Sequence, residues 1–102
     1  MAKPSEILKP FRDRIDALDD KIVDLLLERF NIVREVAKVK GEHNIPTVVE
    51  DRIKDVINRV GDRAGEANED IICEIYALII AIAHDVEDEV TGRNPDSDDD
   101  DE

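Results

Sequence analysis

Tryptophan is absent from these 102 residues, and the aromatic side chains are Phe11, Phe30 and Tyr76 alone. A core built without large rings must come from Ile, Val, Leu and Ala, which is the usual material of packed helices. Strand-like alternation of any length and Gly-rich hairpin turns are missing too, so a sheet fold is not expected. One cysteine, Cys73, excludes an internal disulfide and fits a reducing compartment. No apolar run approaches ~18 residues, and the opening MAKPSEILKP lacks the apolar region of a signal peptide. The expectation is a soluble, cytoplasmic protein. Cations are scarce: 14 Lys and Arg face 27 Asp and Glu, for a net charge of −13. Such a balance argues against nucleic-acid and anionic-membrane partners, which attract positive fields. His43 and His84 do not have metal-ligand spacing, and no nucleophile–base pattern stands out, so neither a metal nor another cofactor is expected.

What is present reads as an all-α chain of three helices. The first is expected from about Ser5, as N-cap, to about Lys40, with Gly41 and Pro46 as its breakers. The second covers about Val49 to Arg63, and the third runs from Asn68 or Glu69 to Val90 with Asn68 as cap. Residues 1–90 form the expected domain. Residues 91–102 hold six acids against one arginine, so five of the thirteen excess negative charges lie in an expected disordered acidic tail and eight on the domain. A first helix of thirty-odd residues would be roughly 50 Å long. A compact domain of this size has a radius of gyration of only ~13 Å. Its apolar stripe therefore calls for a second copy of the chain, an intertwined homodimer.

That stripe contains an anomaly. Ile15, Leu18, Ile22, Leu25, Arg29, Ile32, Val36 and Val39 follow one another at alternating spacings of three and four, so Arg29 stands where a core Leu is expected. Lys40, eleven residues on, lies about 20° from Arg29 around the helix, and Arg12 lies at the edge of the stripe. Arg52 opens the second helix beside Ile53. Glu87 sits at the edge of the third helix's stripe, four residues after Ala83. Each cation alone could snorkel to solvent or set a helical register, and an Arg29–Glu87 ion pair would also explain the charges. Together, several cations aimed at one interior repel each other unless an anion lies between them. A small dicarboxylate would fill that role.

These residues carry a family resemblance. FRDRIDALDDKIVDLLLERFNIVREVAKVK, then IP, EDRIKDVINRV and IYALIIAIAHDVED resemble the all-helical chorismate mutases over about residues 8–90. Arg12, Arg29, Lys40 and Arg52 are separated by 17, 11 and 12, as in the family motif. The resemblance implies an intertwined homodimer of three-helix chains with shared active sites, converting chorismate to prephenate in aromatic amino acid biosynthesis. Carried over by position, Arg12 comes from the partner chain and Arg29 grips a substrate carboxylate. Lys40 contacts a carboxylate and the ether oxygen, and Glu87 faces that oxygen. Arg52, Val49, Ile53 and Ala83 fall at substrate-binding positions.

Three positions depart from the common bacterial pattern. Glu87 replaces a Gln that donates a hydrogen bond to the ether oxygen; only a protonated Glu could do so, and the expectation is that activity then falls with rising pH while Glu87→Gln flattens the profile. Ile53 replaces the acid that grips the ring hydroxyl, a contact that Glu50 or Asp51 could supply instead. Ala83 replaces a small polar residue. The departures leave open an isochorismate–pyruvate lyase making salicylate, a 4-amino-4-deoxychorismate mutase, and a non-catalytic helical dimerisation module.

Overall fold

The computed structural model describes residues 1–93 and contains three helices: α1 (Pro4–Glu42), α2 (Glu50–Ala64) and α3 (Glu69–Thr91). No strand occurs among the described residues, so the all-α reading stands. No helix among them is long and apolar enough to cross a membrane. The chain divides into two units, Met1–Asn31 and the residues from Ile32 onward.

The first unit is the N-terminal part of α1. The helix starts one residue before the expected Ser5 cap, because Pro4 at the first helical position arrives with its φ already set and lacks an N–H that would go unpaired there. The Glu6 carboxylate accepts a hydrogen bond from the Lys3 backbone N–H at 3.1 Å, half of a capping box. Pro10 lies inside the helix, as the sequence suggested. Of the apolar stripe, Ile15, Leu18, Ile22 and Leu25 are each more than half exposed, from 52% to 63%. A helix of this kind is held mainly by burying such a face.

In the second unit, α2 lies against α3. Val56, Val60 and Ile80 are buried, and Ile53, Ile57, Ile72 and Tyr76 pack around them. Burying each such aliphatic side chain is worth about 1.5–3 kcal/mol. Gly61 permits close approach of the two helices: a Cβ there would sit 3.0 Å from Cys73 Sγ and 3.1 Å from Glu69 Cγ. Cys73 donates a weak bond to the Ile57 carbonyl at 3.6 Å. Asn68 occupies the α3 N-cap position, but its side chain makes no capping bond. The acids Glu69 and Asp70 complement the helix dipole there instead.

The end of α1 differs from expectation. Gly41 does not break the helix, which continues to Glu42. The stop comes at Asn44, in the left-handed region with φ 55°, with the Ile45 N–H donating back to the Lys40 carbonyl at 2.9 Å. Asn is among the few side chains that adopt this conformation readily. Gly41 faces α3, where a Cβ would meet Thr91 Cγ2 at 3.4 Å. Helix α3 ends one residue beyond the expected Val90: Thr91 closes it, Gly92 caps it with φ 76°, and Arg93 bonds to the loop after α1. The remainder of the expected acidic tail lies outside the described residues.

Candidate active site

The second unit gathers charge where the C-terminal ends of α1 and α3 meet. Ile80, Ala83 and Glu87 are the buried residues of α3, spaced three and four apart, so Glu87 continues the buried stripe. It is 6% exposed. Its Oε1 lies 2.9 Å from Lys40 Nζ, in an ion pair that is off the hydrogen-bonding direction. The ammonium also donates to the Thr47 carbonyl at 2.8 Å. A cation and an anion expected from separate helices are thus in contact.

Thr47 is the other buried polar residue among the described residues. Its hydroxyl donates to Asp88 Oδ1 at 2.7 Å. Arg93 Nη1 donates to the Ile45 carbonyl at 2.8 Å and reaches Thr47 Oγ1 at 3.4 Å. Thr91 donates to the Glu87 carbonyl at 3.0 Å. The loop between α1 and α2 is therefore fastened to the last turns of α3 by side chains. Sequence reasoning passed over Thr47, Asp88 and Arg93, because neither helical period nor motif spacing marks a loop threonine that meets an acid 41 residues on. The available signal was the pairing of a polar loop residue beside Pro46 with an acid next to Glu87.

The other sequence-derived positions are distributed as follows. Arg52 is exposed on the first turn of α2, its N–H donating to the Val49 carbonyl at 3.1 Å. Val49 is the N-cap of α2 and has extended backbone. Ile53, expected at a substrate-binding position, packs against the Val56–Val60–Ile80 core. Ala83 is buried one turn before Glu87. Arg29 is partly buried and Arg12 exposed, both on the first unit. No cluster of His, Cys, Asp or Glu suited to a metal occurs among the described residues.

A largely buried lysine beside a carboxyl can stabilise negative charge that develops on an oxygen, and it needs no nucleophile. The family described as chorismate mutase type II matches residues 11–88. A chorismate mutase of Methanocaldococcus jannaschii is 32% identical over 77 residues, covering 74% of this chain and 78% of that protein. A 4-amino-4-deoxychorismate mutase of Streptomyces venezuelae is 28% identical over 88 residues, or 84% and 85% of the two chains. The T-protein of Haemophilus influenzae is 38% identical over 47 residues, 46% of this chain but 12% of that longer protein. No solved structure matches.

Proposed function

The chain belongs to the chorismate mutase type II family, whose members are isomerases, and from that premise we propose that it rearranges chorismate to prephenate at a site containing Lys40 and Glu87. The reaction is a unimolecular [3,3] rearrangement. The ether C–O bond breaks as a C–C bond forms, with negative charge gathering on the departing oxygen. Rate then comes from holding the reactive chair-like conformer and from cations already in place before the charge develops. The observation that carries the reading is the Lys40 ammonium, anchored on the Thr47 carbonyl within a largely buried wall.

Each residue has a part in this reading. Lys40 stabilises the ether oxygen and a carboxylate. Glu87 serves as counter-ion to Lys40 and faces the same oxygen. Arg29 grips a carboxylate bidentately, Arg52 closes the mouth of the site, and Arg12 enters from a partner chain. Val49 and Ala83 form apolar walls, and Ile53 contributes from behind through the core. The homodimer is supported by the exposed stripe Ile15–Leu18–Ile22–Leu25, since an apolar face of that length marks an interface. The cytoplasm, with its supply of the dicarboxylate substrate, is the compartment that fits.

A second substrate is favoured by a specific resemblance. The similarity to the 4-amino-4-deoxychorismate mutase spans most of both chains, and Ile53 removes the acid that would grip a ring hydroxyl. The test is direct: purified protein is mixed in parallel with chorismate and with 4-amino-4-deoxychorismate, and the products are identified by chromatography with mass detection. Prephenate from the first at enzymatic rate supports the proposal. Turnover of the amino compound alone moves the assignment to that substrate, and no turnover of either refutes the site.

A further inference from the structure

Lys40 carries its ammonium at the end of four rotatable bonds, so its catalytic position must be imposed by what it touches. Two contacts do this: the Glu87 carboxylate at 2.9 Å and the Thr47 carbonyl at 2.8 Å. A substrate that takes over one of these charges leaves the Thr47 carbonyl as the fixed support. That carbonyl belongs to the loop joining α1 to α2, which has no regular structure of its own to hold it. We propose that Thr47, clasped by Asp88 and Arg93, is a positioning residue that sets the Lys40 ammonium for the rearrangement.

The geometry gives each partner a task. The Thr47 hydroxyl donates to Asp88 Oδ1 at 2.7 Å, a short, charge-assisted bond at a largely buried site. Arg93 secures the same loop from its other side, through the Ile45 carbonyl at 2.8 Å. Asp88 follows Glu87 in the chain, so one turn of α3 fixes both supports of the ammonium. The contacts at Thr47 are divided between its two ends: the hydroxyl binds α3 and the carbonyl binds Lys40. Removing the hydroxyl leaves the Lys40 acceptor in place chemically but releases its location. This inference rests on the reading of Lys40 as the group facing the ether oxygen.

The test compares Thr47→Val, Thr47→Ser, Arg93→Ala and Lys40→Ala in the full chain, well below each variant's unfolding midpoint and at helicity matched by circular dichroism. Thr47→Val should lower kcat about tenfold, ~1.4 kcal/mol in the barrier, with little change in KM. Thr47→Ser should restore most of that loss, which a general packing role for the lost methyl would not allow. Arg93→Ala, at the surface end of the clasp, should lower kcat about threefold and decides the matter where Thr47→Val does not fold. The proposal is overturned where Thr47→Val and Arg93→Ala turn over within about twofold of wild type while Lys40→Ala is inactive. It is overturned equally where Thr47→Ser is as impaired as Thr47→Val. Full activity in Lys40→Ala would instead remove the site reading on which the clasp depends.

Discussion

Replacing Lys40 by Met should cost far more stability than replacing Glu87 by Gln, although both substitutions break the same 2.9 Å pair. The two ends of that pair differ in their access to water: the Glu87 side chain is 8% exposed and that of Lys40 16%. Among the described residues the carboxylate Oε1 has no hydrogen-bond partner, so its burial leans on the charge of the nearby ammonium. Lys40→Met therefore strands an anion in a dry wall, and breaking a buried pair in this way costs 3–5 kcal/mol. Because the lysine end is the wetter one, about 3 kcal/mol is the expected figure here. Glu87→Gln leaves a cation that still donates to the Thr47 carbonyl at 2.8 Å and has a flexible stem with which to find solvent. Its cost should be near 1 kcal/mol, the scale of one ordinary hydrogen bond.

Thermal unfolding followed by far-ultraviolet circular dichroism reads both values. For a domain of this size each kcal/mol moves Tm by about 4–8 °C, so Lys40→Met should fall by about 12–24 °C and Glu87→Gln by under about 8 °C. Protein concentration must be held equal, because association of the chains would make Tm depend on it. The double variant carries the sharpest reading: with no anion left to strand, it should be more stable than Lys40→Met alone. Equal losses in the two single variants, or a double variant less stable than Lys40→Met, would refute the picture of Glu87 as a buried carboxylate neutralised by Lys40.

Gly41→Ala should raise Tm by about 2–4 °C, since it removes about 0.5 kcal/mol of helix-interior flexibility and its Cβ meets only Thr91 Cγ2 at 3.4 Å; a lower Tm would show that the ends of α1 and α3 are packed more tightly than that. Mixing inactive Arg12→Ala and Lys40→Ala chains under conditions that exchange subunits should recover about a quarter of wild-type turnover, because half the dimers are then hybrids with one intact site of two. Continued inactivity of the mixture would place Arg12 within its own chain's site. Raising ionic strength from very low values should lower KM for the dianionic substrate, because a net charge of −13 repels it over the Debye length; a KM that rises with salt would mean that the local cations dominate the approach.

The helices were legible because burial writes a period. Ile53, Val56, Ile57 and Val60 recur at helical spacing, and the structure packs all four with α3. The ends were harder to read, since they depend on which backbone groups find partners. Gly41 looked like a stop, yet the chain turned at Asn44 because a left-handed residue was needed where Ile45 could bond back to Lys40. At the site, the spacing from Ala83 and Ile80 puts Glu87 at the edge of the stripe and the structure buries it, whereas its contact with Lys40 is not written in that spacing. Ion pairing between helices depends on how two helix ends meet, and no spacing within one helix encodes that.

Ile53 shows how a motif position and a packing position can compete for one residue. The family resemblance implies a substrate contact there, while the structure turns it toward Val56, Val60 and Ile80. An acid there would have to face away from that core or be buried at a cost of several kcal/mol, so the apolar choice strengthens the α2–α3 contact at the expense of a polar grip on the ring. In the proposed site, recognition then falls more heavily on the carboxylates of the substrate, where Arg29, Lys40 and a partner's Arg12 are proposed to act. A site that reads two carboxylates closely and the ring substituent loosely should discriminate poorly between hydroxyl and amino rings. The ratio of kcat/KM for chorismate over 4-amino-4-deoxychorismate measures that slack, and Ile53→Glu should raise it through any gained bond to the hydroxyl; an unchanged ratio would mean that residue 53 faces the core in the working enzyme and that another group reads the ring.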